Sequence, residues 1–150
     1  DTLQAAVLSV KLKNLNNWTK LRRSRAALYN QLLSEIDGIE PHFIETFGRP
    51  SFNYYTIRVK GAKLNRDRLK EYLSSRGIQT MVYYPLSLHI QKAYQYLGYK
   101  LGDFPESEQA QKEVLSLPMY PELSEEQVRG VVAGIKKFVK TQKQQISSVK

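Results

Sequence analysis

The chain has 150 residues, 41% of them apolar and 11% aromatic, which is enough to close one ordinary core and excludes a fully disordered polymer. It has no cysteine and only two histidines, His42 and His89, so disulfides and any zinc site of usual spacing are excluded. Lys and Arg number 23 against 14 Asp and Glu, a formal charge of +9, yet residues 37–133 carry twelve of each sign and the excess sits at the two ends.

The chain opens at Asp1 without an initiator Met, already inside a helix-forming run, and reads as an excerpt of something longer. Leu8, Leu12, Leu15, Leu21, Leu28, Leu32 and Ile36 recur at three- and four-residue steps with no Gly or Pro before Gly38, which predicts one long helix over 2–36, straight or bent. Lys11, Lys13, Lys20, Arg22, Arg23 and Arg25 form a basic stripe on it. Such a stripe is ordinarily a solvated helix face; as a nucleic-acid surface it would need stacking aromatics, and only Trp18 and Tyr29 accompany it.

Pro41 to Pro50 reads as a loop, and Ser51–Val59 as a strand of alternating aromatic and β-branched residues closed by Gly61. Asn65 is placed to cap a helix that buries Leu69, Tyr72 and Leu73 and ends at Gly77. Ile78–Tyr84 is a second predicted strand, broken by Pro85, after which Ser87 can cap a short helix through His89 to Tyr96. Asp103-Phe104-Pro105-Glu106 resembles a capping box for a helix to about Leu115, and Leu117–Pro121 is extended by proline restriction. Ser124-Glu125-Glu126-Gln127 opens the last helix, whose apolar face is Val128, Val131, Val132, Ile135, Phe138 and Val139.

The order predicts a mixed α/β layer, a sheet of two or three strands covered by helices with a long leading helix. Residues 1–36 would be a connecting helix, 37–140 a small α/β domain, and 141–150 a polar, disordered tail. No apolar run approaches the roughly 20 residues of a membrane helix, so the expectation is a soluble, cytoplasmic chain. Phosphate loops and a serine-hydrolase elbow are absent from the sequence. Glu106 and Glu108 could form an acid–base pair, but carboxylates in a first helical turn ordinarily serve the helix dipole. On its own residues the chain holds no recognisable catalytic set.

Several stretches taken together resemble the DegT/DnrJ/StrS group of sugar aminotransferases over residues 1 to about 139. They are Asp1–Ala6 with Lys11-Leu12 and Trp18, then Asn53-Tyr54-Tyr55-Thr56-Ile57-Arg58, Gly77-Ile78 and Tyr84-Pro85-Leu86-Ser87-Leu88-His89-Ile90-Gln91. Phe104-Pro105 with Glu108 and the run Val114–Leu123 follow in the same order. The resemblance implies the small C-terminal domain of an aspartate-aminotransferase-type fold. Its parent would use pyridoxal 5′-phosphate (PLP) to move an amino group, from glutamate, to a keto-sugar nucleotide.

In that family the Schiff-base lysine, the aspartate at the pyridine nitrogen and most of the phosphate cup lie upstream, before Asp1. A loop there reaches the neighbouring subunit's cofactor, which implies a homodimer. This segment would then hold neither catalytic residues nor a cofactor or metal, and would supply substrate-side and dimer contacts. Lys60, at a strand end, is the best placed lysine here, although a basic residue closing a surface strand is ordinary. The resemblance assigns His89, Tyr84 and Asn53 to substrate binding, with a helix dipole favouring neutral His89. Tyr83 and Ser87 depart from the histidine and proline common in relatives. A basic nucleic-acid-binding or regulatory domain built on Lys11–Arg25 is the alternative from another class, and an oligomerisation module a third.

Overall fold

The computed structural model describes residues 1–42, 48–61 and 64–147, with side chains as far as 144. Helices α1 (Thr2–Leu12) and α2 (Leu15–Leu33) lead into strand β1 (Ile39–Glu40), strand β2 (Tyr55–Val59) and helix α3 (Arg66–Ser74). Two 3₁₀ turns follow at Leu88–Ile90 and Lys92–Leu97, then helix α4 (Pro105–Glu113), strand β3 (Val114–Leu117) and helix α5 (Glu125–Ser147). The strands form one antiparallel sheet in the order β1-β2-β3, with Ile57 opposite Leu115 and Ile39 opposite Val59. The mixed α/β class expected from the element order is the one observed.

Alternation along β2 sends Tyr55, Ile57 and Val59 into the core. There they join Tyr29 and Leu33 of α2, Leu69 and Leu73 of α3, and the apolar face of α5 from Val128 to Val139. Tyr29 and Tyr55 stack at 4.7 Å between ring centroids. Gly134 lets α3 approach α5 closely, because a Cβ there would meet Leu73 Cδ2 at 3.1 Å.

The local stop signals act as the residues require. Asn65 Oδ1 accepts from Arg68 N (3.0 Å), and Gly77 adopts φ +73° while Ile78 N returns to Leu73 O (3.0 Å). Ser124 Oγ accepts from Gln127 N (3.1 Å) and Gln127 Oε1 from Ser124 N (2.8 Å), a reciprocal capping box.

Elsewhere the structure departs from the local reading. The leading helix is interrupted at Lys13–Asn14, beside Asn16 and Asn17, residues that compete with helical hydrogen bonds. The strand expected over Ser51–Val59 starts only at Tyr55, because buried Phe52 takes φ +52° and turns the chain. Ile78–Tyr84 is reduced to a single bridge, Met81 to Ser116. Its next hydrogen-bonded pair would be Tyr83 with Val114, but Val114 N donates to Ala110 O as the cap of α4, and Val114 O accepts from Arg66 Nη1 (2.9 Å).

Helix α4 ends at Glu113, short of Leu115, and strand β3 at Val114–Leu117 runs into the segment Leu117–Pro121 expected to be extended by proline restriction. Helix α5 continues to Ser147, through a stretch expected to be a disordered tail; residues 141–147 contain no Gly or Pro, and Lys143 Nζ lies 2.9 Å from Asp37 Oδ2. Residues 43–47 of the expected loop and 148–150 lie outside the described residues.

Candidate functional site

The sequence of α4, Pro-Glu-Ser-Glu-Gln-Ala-Gln-Lys-Glu, has no large apolar residue, so this helix docks through polar contacts. Arg58, on the face of β2 opposite the core, places its Nη2 2.8 Å from Glu113 Oε2, and Thr56 Oγ1 lies 2.8 Å from Ser116 Oγ. Arg66 Nη1 donates to the carbonyls of Gln111 (3.1 Å) and Val114, satisfying the C-terminal end of α4. The helix is thereby fixed to the face of the central strand β2 and to α3.

From there α4 holds the segment after Pro85. Gln111 Oε1 accepts from Ser87 N (2.6 Å), and Ser107 Oγ lies 3.2 Å from Ser87 Oγ. A proline at position 87 would lack the N–H that Gln111 receives. Glu108, only 8% exposed, accepts at Oε1 from Gly102 N (2.7 Å), Phe104 N (3.4 Å) and His89 Nε2 (3.0 Å). The Gly102 amide contributes most to holding the Glu108 carboxyl below its ordinary range; the His89 and Phe104 bonds add to this against partial desolvation. The ionised carboxylate is acceptor-only, so His89 Nε2 carries the proton of this bond.

The three residues assigned to substrate binding sit differently. His89 has a side chain 7% exposed, packed on Phe104 with ring centroids 4.9 Å apart. The group facing its Nε2 is the Glu108 carboxylate rather than the expected helix dipole, since the turn around His89 has only three residues. Tyr84 stands 73% exposed next to Pro85. Asn53 is exposed at the bend before β2 and lines a shallow cavity of about 200 Å³ with Tyr54, Thr80, Met81 and Tyr83. Tyr54 and Tyr83 contact at 4.1 Å between centroids, so the neighbours of Asn53 and Tyr84 meet, while His89 lies beneath α4.

Glu108 is the residue whose position sequence reasoning missed: it serves the 98–104 loop and His89, beyond the helix dipole. Its signal in the sequence was the lack of an apolar face on α4, which obliges polar side chains to face inward. Asp103 also departs from expectation: its carboxylate accepts from Lys100 N (2.9 Å), and α4 has no side-chain cap. His42 packs edge-on against Phe52 at 5.6 Å between centroids.

Among the described residues no set fits PLP. Lys60 pairs with Glu40 at 2.7 Å, and the other described lysines lie exposed on the surface. Three of the six residues of the basic stripe are tied into the fold. Arg22 Nε donates to Ser51 O (2.8 Å), Arg23 to Pro50 O (2.9 Å) and Arg49 O (2.8 Å), and Arg25 to Leu123 O. Helix α1 buries none of its residues, and Leu3, Leu8, Val10 and Leu12 are all more than half exposed. No helix among the described residues is long and apolar enough to cross a membrane.

Known proteins share both sequence and geometry with this chain. It is 49% identical over 142 residues to a pleiotropic regulatory protein of Geobacillus stearothermophilus, covering 92% of this chain and 37% of that protein. It is 32% identical to the dTDP-3-amino-3,4,6-trideoxy-alpha-D-glucose transaminase of Streptomyces venezuelae, over 92% of this chain and 35% of the relative. Among solved structures, S. venezuelae DesV in complex with a ketimine intermediate superposes with a TM-score of 0.84 at 32% identity, covering 91% of this chain and 36% of that one. A DegT DnrJ EryC1 StrS aminotransferase from Brucella abortus gives 0.81 at 36% identity, over 92% of this chain and 35% of the other. The chain thus spans little more than a third of the length of the proteins it matches. The profile of the DegT/DnrJ/EryC1/StrS aminotransferases matches residues 1–136, and the chain belongs to that family.

Proposed function

We propose that this chain is the C-terminal domain of a cytoplasmic, homodimeric, PLP-dependent aminotransferase that moves an amino group, from glutamate, to a keto-sugar nucleotide. The observation that carries the reading is the polar platform itself: α4 fixes the Tyr84–Gln91 segment in a chain whose relatives include transaminases named for dTDP-sugars and a UDP-sugar. PLP, when bound in the parent, supplies the carrier for the amino group and an electron sink for the charge left by Cα–H removal. Those functions fall to residues outside this segment. Here Asn53 and Tyr84 orient the sugar nucleotide from the exposed side, and His89 shapes the same wall from beneath. Exposed α1 and the face it presents form the contact with the rest of the parent.

The test compares the parent with this chain alone. The parent is expected to show the visible absorbance of lysine-bound PLP and to aminate a keto-sugar nucleotide, while the 150-residue chain shows neither. Asn53→Ala and Tyr84→Ala in the parent should each raise KM for the sugar nucleotide about 3- to 10-fold, the range of one lost hydrogen bond, with little change in KM for glutamate. A borohydride-reducible PLP adduct on this chain by itself would overturn the division of labour. Tight, steeply salt-dependent duplex binding would instead favour the regulatory reading.

A further inference from the structure

Glu108 makes contacts that a helix-dipole carboxylate does not need. It is buried, its Oε1 collects three donors from two separate stretches of chain, and its neighbours Ser107 and Gln111 hold Ser87 from the same helix. The stretches it joins have little else to hold them: among residues 83–107 only Ser87 and His89 are buried. A segment without an apolar anchor keeps its position through its hydrogen bonds, and the acceptor shared by the most donors governs it.

We infer that Glu108 is a positioning residue, locking His89 with Nε2 as donor and joining the Tyr84–Gln91 segment to the 98–104 loop as one unit on the substrate side. The functional half of this inference rests on the substrate-side reading proposed above. The geometric half stands on the contacts alone. With Nε2 committed to Glu108, a neutral His89 has Nδ1 as an acceptor, so the ring's polarity towards any ligand is set from α4. Lost alignment at this acceptor should appear in substrate binding before it appears in the stability of the apolar core.

The experiment uses the full-length parent with wild-type, Glu108→Ala and Glu108→Gln sequences, read by nitrogen-15 NMR of His89, amide exchange and steady-state kinetics. Wild type is expected to show a slowly exchanging His89 Nε2–H. Glu108→Ala should lose that signal and speed exchange at Gly102 and Phe104 at least about tenfold, while Ile57 is unchanged, and should raise KM for the keto-sugar nucleotide about tenfold with kcat altered much less. Glu108→Gln keeps an acceptor oxygen at the same reach and should recover most of the ring signal and of KM, which also covers the case that Glu108→Ala fails to fold. An unchanged ring signal in both variants overturns the assignment of Glu108. A lost ring signal with unaltered KM overturns the positioning role through the substrate-side reading, leaving the Glu108–His89 bond itself established.

Discussion

Two regions of this domain are held by different forces. The sheet with α2, α3 and α5 is closed by apolar side chains such as Tyr55, Ile57, Leu73 and Ile135, each fully buried. Between Val82 and Leu115 no residue belongs to that core; α4 and the 83–104 segment are held by carboxylates, amides and a histidine, above a surface that exposes Tyr84, Tyr96 and Leu101. Apolar burial is non-directional and scales with area, so it secures a fold without fixing individual atoms. Hydrogen bonds contribute less net stability but specify direction. The apolar half therefore determines whether the domain exists, and the polar half determines where its exposed residues point.

Substitutions should separate the two. The largest effect belongs to the core: Leu73→Ala, which leaves a cavity beside Gly134, is expected to cost about 2–5 kcal/mol in chemical denaturation. A cost below about 1 kcal/mol would show that α3 is not part of the same cooperative unit. In the polar half, Gln111→Ala removes the acceptor for Ser87 N and should cost only about 0.5–1.5 kcal/mol. Its exchange signature should be confined to residues 86–91; a global loss as large as that of Leu73→Ala would erase the distinction.

The smallest effects concern pH, and they carry opposite signs. Burial, with the neighbouring Tyr55 and Tyr120 adding at Tyr29, raises the phenols of Tyr29 and Tyr55 far above their ordinary 10.0. Their contribution is complete below that value and is lost as pH rises beyond it, because the unfolded chain releases the proton first. Alkali should therefore attack the core, and Tyr29→Phe should flatten the fall of the melting temperature above pH 10. The lowered carboxyl of Glu108 contributes above its ordinary 4.5 and loses that contribution as pH falls through its folded value. Acidification below pH 4.5 should reduce amide protection at Gly102 and Phe104 while β2 stays protected.

Features settled within a few residues are legible in the amino-acid sequence alone. The caps at Asn65 and Ser124, the stop at Gly77 and the buried face of α5 all follow from neighbours three or four positions apart, and all are observed. The family marks are likewise readable in order along the chain. Asn53 and Tyr84 can be nominated from them, but not the contact of Tyr54 with Tyr83 that joins their neighbourhoods, which brings together residues 29 positions apart.

Sequence by itself thus determined the mixed α/β class, the two ends of α3, the start of α5 and the family, because periodicity and capping act through local backbone geometry. Only the tertiary structure decided that Ile78–Tyr84 is one bridge rather than a strand, since its pairing groups on Val114 are taken by Ala110 and Arg66. It also decided that Glu108 faces inward: a carboxylate on an exposed helix turn and one that gathers distant amide and imidazole donors are written with the same letter. The difference between them is the partner that folding brings within 3.0 Å.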